Sequence, residues 1–231
     1  MTAMNTTCDF DHSIVVKPWG YEYLMYQNTL VGLWCLHLTG GAKTSLHCHP
    51  DKKTGLILLS GEAEISFLND SLKLKPLNKM ILRAGLFHST AALSPAGVVL
   101  LEIETPPIKT NLVRLDDEYG RQDQPYEGPD KLIPLREECV RIQIPPAGER
   151  RCYTMHHCDL IAERIQDTKV MKHREPSDLM IVLDGGLRSQ TDESVMGAGD
   201  VVTVSTFNRL AETFVAHSDI YMLTIRKAEE S

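Results

Sequence analysis

The sequence feature that most constrains this chain is a pair of histidines, His47 and His49, two residues apart in the stretch 41–61. Residues i and i+2 of a β-strand point to the same face, so an extended chain aims both imidazoles at one point. A third histidine, His88, follows Gly85 by three residues. Imidazole nitrogens bind zinc, iron, nickel, copper and manganese. The pattern predicts a three-histidine metal site, and the alternative is a pair of histidines that only packs or faces solvent.

The spacing around these histidines resembles the two sequence motifs of the cupin superfamily, whose small antiparallel β-barrel holds a metal ion. Three residues fall on metal-ligand positions of those motifs and three on turn positions: His47, His49 and His88, and Gly41, Gly61 and Gly85. The resemblance implies a divalent transition metal as cofactor, with zinc, iron, manganese and nickel as candidates.

Two positions depart from the cupin pattern. Thr54 stands where the family has a ligand glutamate, and Arg83 stands where the second motif has a proline. The resemblance therefore implies a neutral set of three histidines, which favours imidazole-preferring ions over hard, oxygen-preferring ones.

The flanks of the metal motif resemble a narrower family, the type II mannose-6-phosphate isomerases. The similar stretches are Lys17-Pro-Trp-Gly-Tyr-Glu22 and Asn111-Leu-Val-Arg-Leu-Asp-Asp-Glu-Tyr-Gly-Arg121, and the resemblance covers residues 14–121. That family usually has Gln and Glu where this chain has His47 and Thr54, and Arg where it has Lys52. The resemblance implies isomerase ancestry with an altered site.

Composition and charge exclude several classes of function. The 231 residues are 42% hydrophobic and 24% charged, as in ordinary globular proteins, and the net charge of −7 without basic runs argues against nucleic-acid binding. The first residues lack the pattern of a signal peptide, and no apolar run is long enough to span a bilayer. The six cysteines have no framework spacing. We expect a cytoplasmic protein with reduced thiols.

Short strands and turns alternate along the chain, which predicts an all-β fold of two tandem cupin-type (double-stranded β-helix, or jelly-roll) barrels. We predict a flexible tail over residues 1–12, the metal-binding barrel over 13–105, a connector over 106–138 and a degenerate second barrel over 139–231. Val140–Ile144 is predicted as a strand, and Asp116 and Asp117 as the start of a short helix.

The second barrel is predicted from a faint repeat. Aligning Gly185 with Gly61 puts Met171, His173 and Asp178 where His47, His49 and Thr54 lie, with Arg209 near the position of His88. The metal ligands of the first barrel are thus replaced in the second.

A local cluster, Cys152-Tyr-Thr-Met-His156-His157-Cys158, offers an alternative metal site. Its spacing is no standard zinc pattern, and reduced cysteines packed in a barrel wall are the simpler interpretation. Cys48 lies between two ligand histidines, so strand alternation sends it to the opposite face, where we expect it to pack.

Four further residues are candidates for the reaction. Glu64 and Glu102 are candidate bases, although an outward polar strand face is the alternative for Glu102. Lys52 and Thr54 are candidates for substrate binding, and a solvated loop is the alternative for Lys52.

Three functions fit these residues. The first is a metal-dependent sugar isomerase or epimerase, with a small sugar or sugar phosphate as substrate. The second is a three-histidine Fe(II) dioxygenase, and the third is a non-catalytic module that binds a saccharide or nucleotide sugar. We also expect a homodimer, because exposed barrel edges can pair, and no nucleic-acid or membrane partner.

Overall fold

Strands make up nearly all regular structure in residues 9–228, which are the part of the chain that this computed structural model describes. The predicted all-β architecture is confirmed. Most of the predicted tail, residues 1–8 including Cys8, lies outside the described residues. Phe10–His12 form a 3-10 helix, and Phe10 packs edge-on against Trp34 and Tyr126.

The first unit is built from twelve strands that pair in antiparallel fashion. They are β1 (Ser13–Lys17), β2 (Gly20–Gln27), β3 (Gly32–Leu38), β4 (Leu46–Cys48), β5 (Lys53–Ser60), β6 (Ala63–Ser66), β7 (Ser71–Leu74), β8 (Lys79–Leu82), β9 (Ser89–Ala92), β10 (Val98–Thr105), β11 (Val113–Asp116) and β12 (Leu132–Pro134). One sheet has the order β12-β1-β2-β3-β10-β5-β8. The facing wall consists of β7-β6-β9 and β11-β4, joined by bridges from Lys43 to Ala91 and from His47 to His88.

The segment 106–138 contributes to the first unit and does more than connect. β11 pairs with β4, the strand that carries His47, and β12 extends the large sheet next to β1. The helix considered at Asp116 and Asp117 is wrong, because Asp116 ends strand β11. A 3-10 helix, Pro129–Lys131, precedes β12.

The second unit contains a five-stranded antiparallel sheet, a hairpin and a short helix. Its elements are β13 (Arg150–Met155), β14 (Cys158–Ile165), a 3-10 helix (Thr168–His173), β15 (Leu179–Asp184), β16 (Leu187–Arg188), β17 (Ser194–Met196), β18 (Val201–Thr203), α1 (Val204–Leu210) and β19 (Ile220–Lys227). The sheet order is β13-β14-β19-β15-β18, and β16 pairs with β17. The predicted strand Val140–Ile144 is wrong: it is irregular, although Ile142 donates a backbone hydrogen bond to Met25.

Three apolar clusters form the core of the molecule, and strand alternation explains their membership. Leu56, Leu58 and Leu100 fill the first barrel, whereas their strand neighbours Ile57 and Leu101 face outward. Those outward residues pack on the second unit's sheet in one shared core of buried aliphatic side chains. A third cluster around Phe207 lies between α1 and the opposite face of that sheet. The large sheet is therefore buried on both faces.

Candidate metal centre

Two neighbouring strands bring the three predicted ligands together. His47 lies in β4, and His88 immediately precedes β9. The two residues form a bridge in which His47 N–H donates to His88 O at 3.0 Å and His88 N–H donates to His47 O at 2.8 Å. Three residues before His88, the chain turns at Gly85. The N–H of Gly85 donates to His49 O, and its φ of 74° suits a residue without a Cβ. One ring nitrogen from each histidine lies within 4.8 Å of the others.

The Nδ1 atoms of all three rings are held by backbone carbonyls. His47 Nδ1 lies 2.7 Å from Ser45 O, His49 Nδ1 lies 2.6 Å from Asn111 O, and His88 Nδ1 lies 3.0 Å from Leu86 O. A carbonyl can only accept, so each Nδ1 must donate, which leaves the Nε2 lone pair of each neutral ring free. Metal-bound histidines in proteins are oriented by this kind of hydrogen bond.

Burial keeps the three imidazoles uncharged. Burial, with the charges of His88 and His49 adding to it, holds the pKa of His47 well below its ordinary value. Burial and the nearby Lys52 lower the pKa of His49 to about 3, and burial also lowers the pKa of His88. A metal ligand must be neutral imidazole, so the site presents the ligating form at neutral pH without a proton having to leave.

The donor set fits a divalent transition metal. His49 Nε2 is buried and has no hydrogen-bond partner among the described residues, as expected for an atom reserved for a ligand. Three neutral imidazole nitrogens with open positions suit zinc, iron or nickel better than manganese, which prefers oxygen ligands. Within residues 9–228, His47, His49 and His88 are the one group of three His, Cys, Asp or Glu side chains that lie close enough together to hold a metal ion.

A chain of buried ion pairs lies beside the histidines. Lys109 Nζ contacts Glu102 at 3.2 Å, Glu104 at 3.3 Å and Glu22 at 3.4 Å, while Lys52 Nζ binds Glu104 at 2.6 Å. The ammonium of Lys109 also lies 4.1 Å from the ring centre of Trp34. Buried charges are tolerated when they are paired in this way.

The ion pairs continue toward the strand β11 side of the barrel. Lys17 contacts both Glu22 and Glu127, and Arg121 binds Glu127 and Asp117 at 2.7 Å each. The connected network holds five cations and five carboxylates: Lys17, Lys52, Lys109, Arg114 and Arg121, with Glu22, Glu102, Glu104, Asp117 and Glu127. With all groups ionised the network is neutral, so a divalent ion on neutral histidines adds uncompensated positive charge.

The two central carboxylates differ in their titration. Burial opposes the ionisation of Glu102, but Lys109, Lys52 and His49 overcome it and hold the pKa of Glu102 well below its ordinary value. Burial raises the pKa of Glu104, and the charge of Glu102 adds to that effect against the opposing influence of Lys109 and Lys52. Glu102 is therefore held in its ionised form more strongly than Glu104.

Several polar atoms near this network lack partners among the described residues. They are Trp34 Nε1, Thr54 Oγ1 and Glu104 Oε2, in addition to His49 Nε2. Thr54 lies opposite Glu104 in the β5–β10 ladder. Unpartnered buried polar atoms are rare, and their concentration at one end of a barrel indicates a place that water or a ligand fills.

The cavity at this place has a volume of about 50 Å³ and is lined by His47, His49, Lys52, Glu102 and Glu104, among others. This volume holds a few water molecules, because one water needs about 10–15 Å³ by the same measure. Only the reacting end of a sugar-sized molecule fits beside the histidines in this conformation.

The other predicted site residues have different positions. Glu102 and Lys52 line the cavity and are buried, so the alternatives of an outward face and a solvated loop are wrong. Thr54 is also buried. Glu64 lies on the face of β6 opposite to the core residues Ala63 and Ile65 and accepts a hydrogen bond from Ser71, so it stays outside the cavity.

Sequence reasoning missed Lys109 as a member of the site. Glu102 and Glu104 interrupt the otherwise apolar strand β10 (Val98–Thr105). A charged residue on the buried face of such a strand indicates that an oppositely charged partner is buried beside it. The partner itself, Lys109, lies in a loop where no periodic pattern marks it.

The Cys152–Cys158 cluster does not assemble into a site. Cys152 is exposed, and His156 and His157 form the turn between β13 and β14 with positive φ angles of 48° and 60°. Cys158 is buried and packs in the shared core, as predicted, whereas Cys152 does not pack. Cys48 is buried as well, in agreement with its expected face.

The repeat positions of the second unit hold no comparable set. Met171 packs in the apolar cluster around Phe207, and His173 is exposed at the end of a 3-10 helix. Arg209 is an exposed residue of α1, which occupies the chain position where the repeat places a strand. Asp178 is buried.

No helix of the described chain is long and apolar enough to cross a membrane.

Comparison with known proteins returned similarity to solved structures alone. No family model matches the sequence, and no curated protein matches it. KdgF from Halomonas sp. shares 18% identity over 44% of this chain and 94% of its own, with a TM-score of 0.39. A conserved protein with a double-stranded β-helix domain from Klebsiella pneumoniae shares 16% identity over 49% of this chain and 99% of its own, with a TM-score of 0.39.

A third similar structure is a cupin-2 domain protein from Shewanella frigidimarina, with 17% identity over 36% of this chain and 78% of its own and a TM-score of 0.33. All three similarities cover half of this chain or less.

Proposed function

We propose that this protein is a metal-dependent cupin enzyme that acts on a small sugar or sugar-phosphate-like substrate by an isomerase or epimerase reaction. The observation that carries the proposal is the convergence of three neutral imidazoles whose Nδ1–H groups are all engaged by backbone carbonyls. His47, His49 and His88 would hold the metal ion. When bound, such an ion polarises a carbonyl or hydroxyl oxygen as a Lewis acid.

Glu102 is the residue to which we assign the proton transfer. Its carboxylate is buried, lines the cavity and is kept ionised by Lys109 and Lys52 against the effect of burial. Isomerases and epimerases must remove a proton from a carbon next to a carbonyl, which calls for an ionised base in a water-poor site. Lys109 holds the Glu102 carboxylate in position from Nζ at 3.2 Å.

The experiment is incubation of metal-loaded protein with aldose and ketose phosphates in D₂O, followed by proton NMR. We expect deuterium at the carbon next to the carbonyl, and a rate at least about 100-fold lower in Glu102→Gln with metal content unchanged. Glu64→Gln is the matched control, since Glu64 lies outside the cavity, and its rate should equal that of the wild type. Equal rates in both variants would contradict the assignment of Glu102.

The Fe(II) dioxygenase is the second candidate, and the absence of a carboxylate from the histidine set supports it. Three neutral nitrogens leave open positions for a chelating substrate and dioxygen. Oxygen uptake by the anaerobically iron-loaded protein with candidate substrates, without deuterium exchange, would favour it over the isomerase. Saccharide binding without turnover would favour the non-catalytic module. The homodimer remains a prediction that a sedimentation measurement can test.

A further inference from the structure

The second unit contains a small polar cavity on the face of its sheet that points away from the first barrel. Its volume is about 130 Å³, and its wall includes Glu163 from β14, Arg174 and Asp178 from the segment before β15, and Thr224 and Arg226 from β19. Neighbours of these residues on the same strand face, such as Met180 and Met222, belong to the cluster around Phe207. The cavity is thus the polar end of the second unit's own interior.

This cavity corresponds in strand register to the metal centre of the first unit. In the first unit, β10 lies between β3 and β5, and Glu102 pairs with Leu56 and Trp34. In the second unit, β19 lies between β14 and β15, and Thr224 pairs with Met180 and Ile161. Thr224 therefore takes the ladder position of Glu102, and the cavity opens at the equivalent end of the sheet.

Two buried polar atoms of the cavity have no hydrogen-bond partner among the described residues. Thr224 is 3% exposed, and its Oγ1 makes no hydrogen bond. Arg174 Nε is likewise buried and unpaired. The side chain of Asp178, which is 8% exposed, accepts no hydrogen bond from residues 9–228, although Arg226 acts on it electrostatically. A buried hydroxyl and a buried N–H donor without partners, in a cavity that also holds a carboxylate with free acceptor positions, indicate a ligand that both donates and accepts.

The charged ends of the arginines are already committed to carboxylates. Arg174 Nη2 binds Glu163 at 2.8 Å, Arg150 Nε lies 3.5 Å from Glu163, and Arg226 Nε lies 3.4 Å from Asp159. Arg150 and Arg174 share the carboxylate of Glu163, and Arg226 lies between Asp159 and the charge of Asp178, so every arginine of the wall already faces a carboxylate. Bidentate recognition of a phosphate or carboxylate would have to compete with these acidic groups. A neutral ligand fits this inventory better than an anion or a zwitterion.

We propose that this cavity is a second ligand site, which binds a small neutral polyol or sugar through its hydroxyl groups. One hydroxyl donates to the Asp178 carboxylate and accepts from Arg174 Nε–H, and a neighbouring hydroxyl pairs with Thr224 Oγ1. Hydroxyl groups suit this task because each one both donates and accepts. The site uses no metal and shares no residue with the histidine centre, so it stands independently of the function proposed above.

The test is a titration of the full-length, isotope-labelled protein followed by amide NMR, with four probes: D-glucose, meso-erythritol, L-alanine and inorganic phosphate. We expect D-glucose or meso-erythritol to shift the amide signals of Thr224, Asp178 and their neighbours, with alanine and phosphate leaving those signals in place. Thr224→Val and Asp178→Asn should each weaken the polyol affinity at least tenfold. Asp192→Asn, an exposed site elsewhere in the unit, should not change it.

Thr224→Val keeps the side-chain volume and removes only the hydroxyl, so a folded variant with weakened binding separates recognition from collapse of the cavity. Three results would overturn the proposal: no shift around the cavity with either polyol, shifts there with phosphate or alanine in place of the polyols, or polyol binding that both variants retain at full strength. Polyol shifts confined to signals near His47 and His88 would also count against it.

Discussion

At the scale of single residues, the site depends on buried charges that hold one another. Lys52 and Glu104 are both almost fully buried and lie 2.6 Å apart. Removing one partner of such a pair leaves an uncompensated charge in a medium that solvates it poorly. The neighbouring Lys109, at 3.3 Å from Glu104, compensates part of this loss.

We therefore expect Lys52→Met to lower the free energy of unfolding at pH 7 by about 2–4 kcal/mol. The pKa of Glu104 is already raised in the wild type, and losing Lys52 raises it further, so the loss is largest at neutral pH and shrinks as pH falls and Glu104 takes up a proton. Urea unfolding at pH 7 and pH 5 measures this trend.

Lys53→Met is the matched control for this experiment, because Lys53 pairs with Asp200 at a half-exposed position. Its loss should stay below about 1 kcal/mol at both pH values. A Lys52→Met protein as stable as the wild type at pH 7 would show that the pair contributes nothing.

The sequence predicted the residues of the metal centre better than those of the ion network. His47 and His49 lie two residues apart on one strand, so local geometry alone aims them together, and spacing to glycine identified His88. Lys109 contacts Glu22, Glu102 and Glu104, which are brought to it by three different parts of the chain. Pairings of that kind are set by tertiary structure and leave no local pattern.

At the scale of elements, glycine turns fix how the two units meet. Gly199 has a φ of 81°, and a Cβ built there lies 1.8 Å from Thr105 Oγ1 at the end of β10. Gly148 has a similar φ of 86° but has nothing within 4 Å of the same position. Both glycines need a positive φ, but only at Gly199 would a Cβ also meet a neighbouring side chain.

We expect Gly148→Ala to cost about 1 kcal/mol, from the positive φ alone. Gly199→Ala should cost about 3 kcal/mol, because the methyl group also overlaps the short, branched Thr105 side chain. Thermal or urea unfolding of the two variants gives the comparison. Equal losses would mean that Thr105 moves aside freely and that the turn does not constrain the contact.

A second contact between elements involves the turn after β13. His37 of β3 stacks on Tyr21 with ring centres 4.4 Å apart, and His156 lies edge-on at 5.3 Å. Burial, with His156 and Arg136 adding positive charge, lowers the pKa of His37 to about 4. His37 is thus still neutral in the folded chain at the pH at which a histidine of the unfolded chain begins to protonate.

Because the folded pKa lies below the unfolded value near 6.5, the contribution is full above that pH and is lost as pH falls toward 4. His37→Phe keeps a ring on Tyr21 and removes the titration. We expect its stability relative to the wild type to rise by about 1–2 kcal/mol between pH 7 and pH 4.5, after allowance for partial exposure. A pH-independent difference would contradict the neutral, buried state of His37.

Element types were predictable where alternation was regular, as in Ala63–Ser66 with its glutamate outward. Val140–Ile144 has the same alternation, and Val140, Ile142 and Ile144 all pack on the shared core, yet the segment stays irregular. Alternation predicts a strand only when a sheet edge is available to pair with, and the large sheet ends instead at β12.

At the scale of the whole molecule, one core serves both units. Leu101 and Ile57 of the first unit and Leu223 and Ile181 of the second belong to the same buried cluster. Both tryptophans, Trp19 and Trp34, lie in the first unit. Tryptophan fluorescence therefore reports the first unit, while far-UV circular dichroism reports the whole chain.

We expect Leu223→Ala, a fully buried change in the second unit, to lower the unfolding free energy by about 2–5 kcal/mol. The fluorescence and circular dichroism transitions should shift together, because separation of the units would expose the shared core. Val170→Ala, at an exposed position, is the control and should shift neither. If Leu223→Ala left the midpoint of the fluorescence transition unchanged, the two units would unfold separately.

The central claim, that His47, His49 and His88 hold a divalent metal, is tested most directly by metal analysis of protein purified without added metal. We predict close to one transition-metal ion per chain in the wild type and in His217→Ala, which removes an exposed histidine. The same measurement on His88→Ala should give background metal only. No metal above background in the wild type, and none taken up from micromolar metal solutions, would contradict the account.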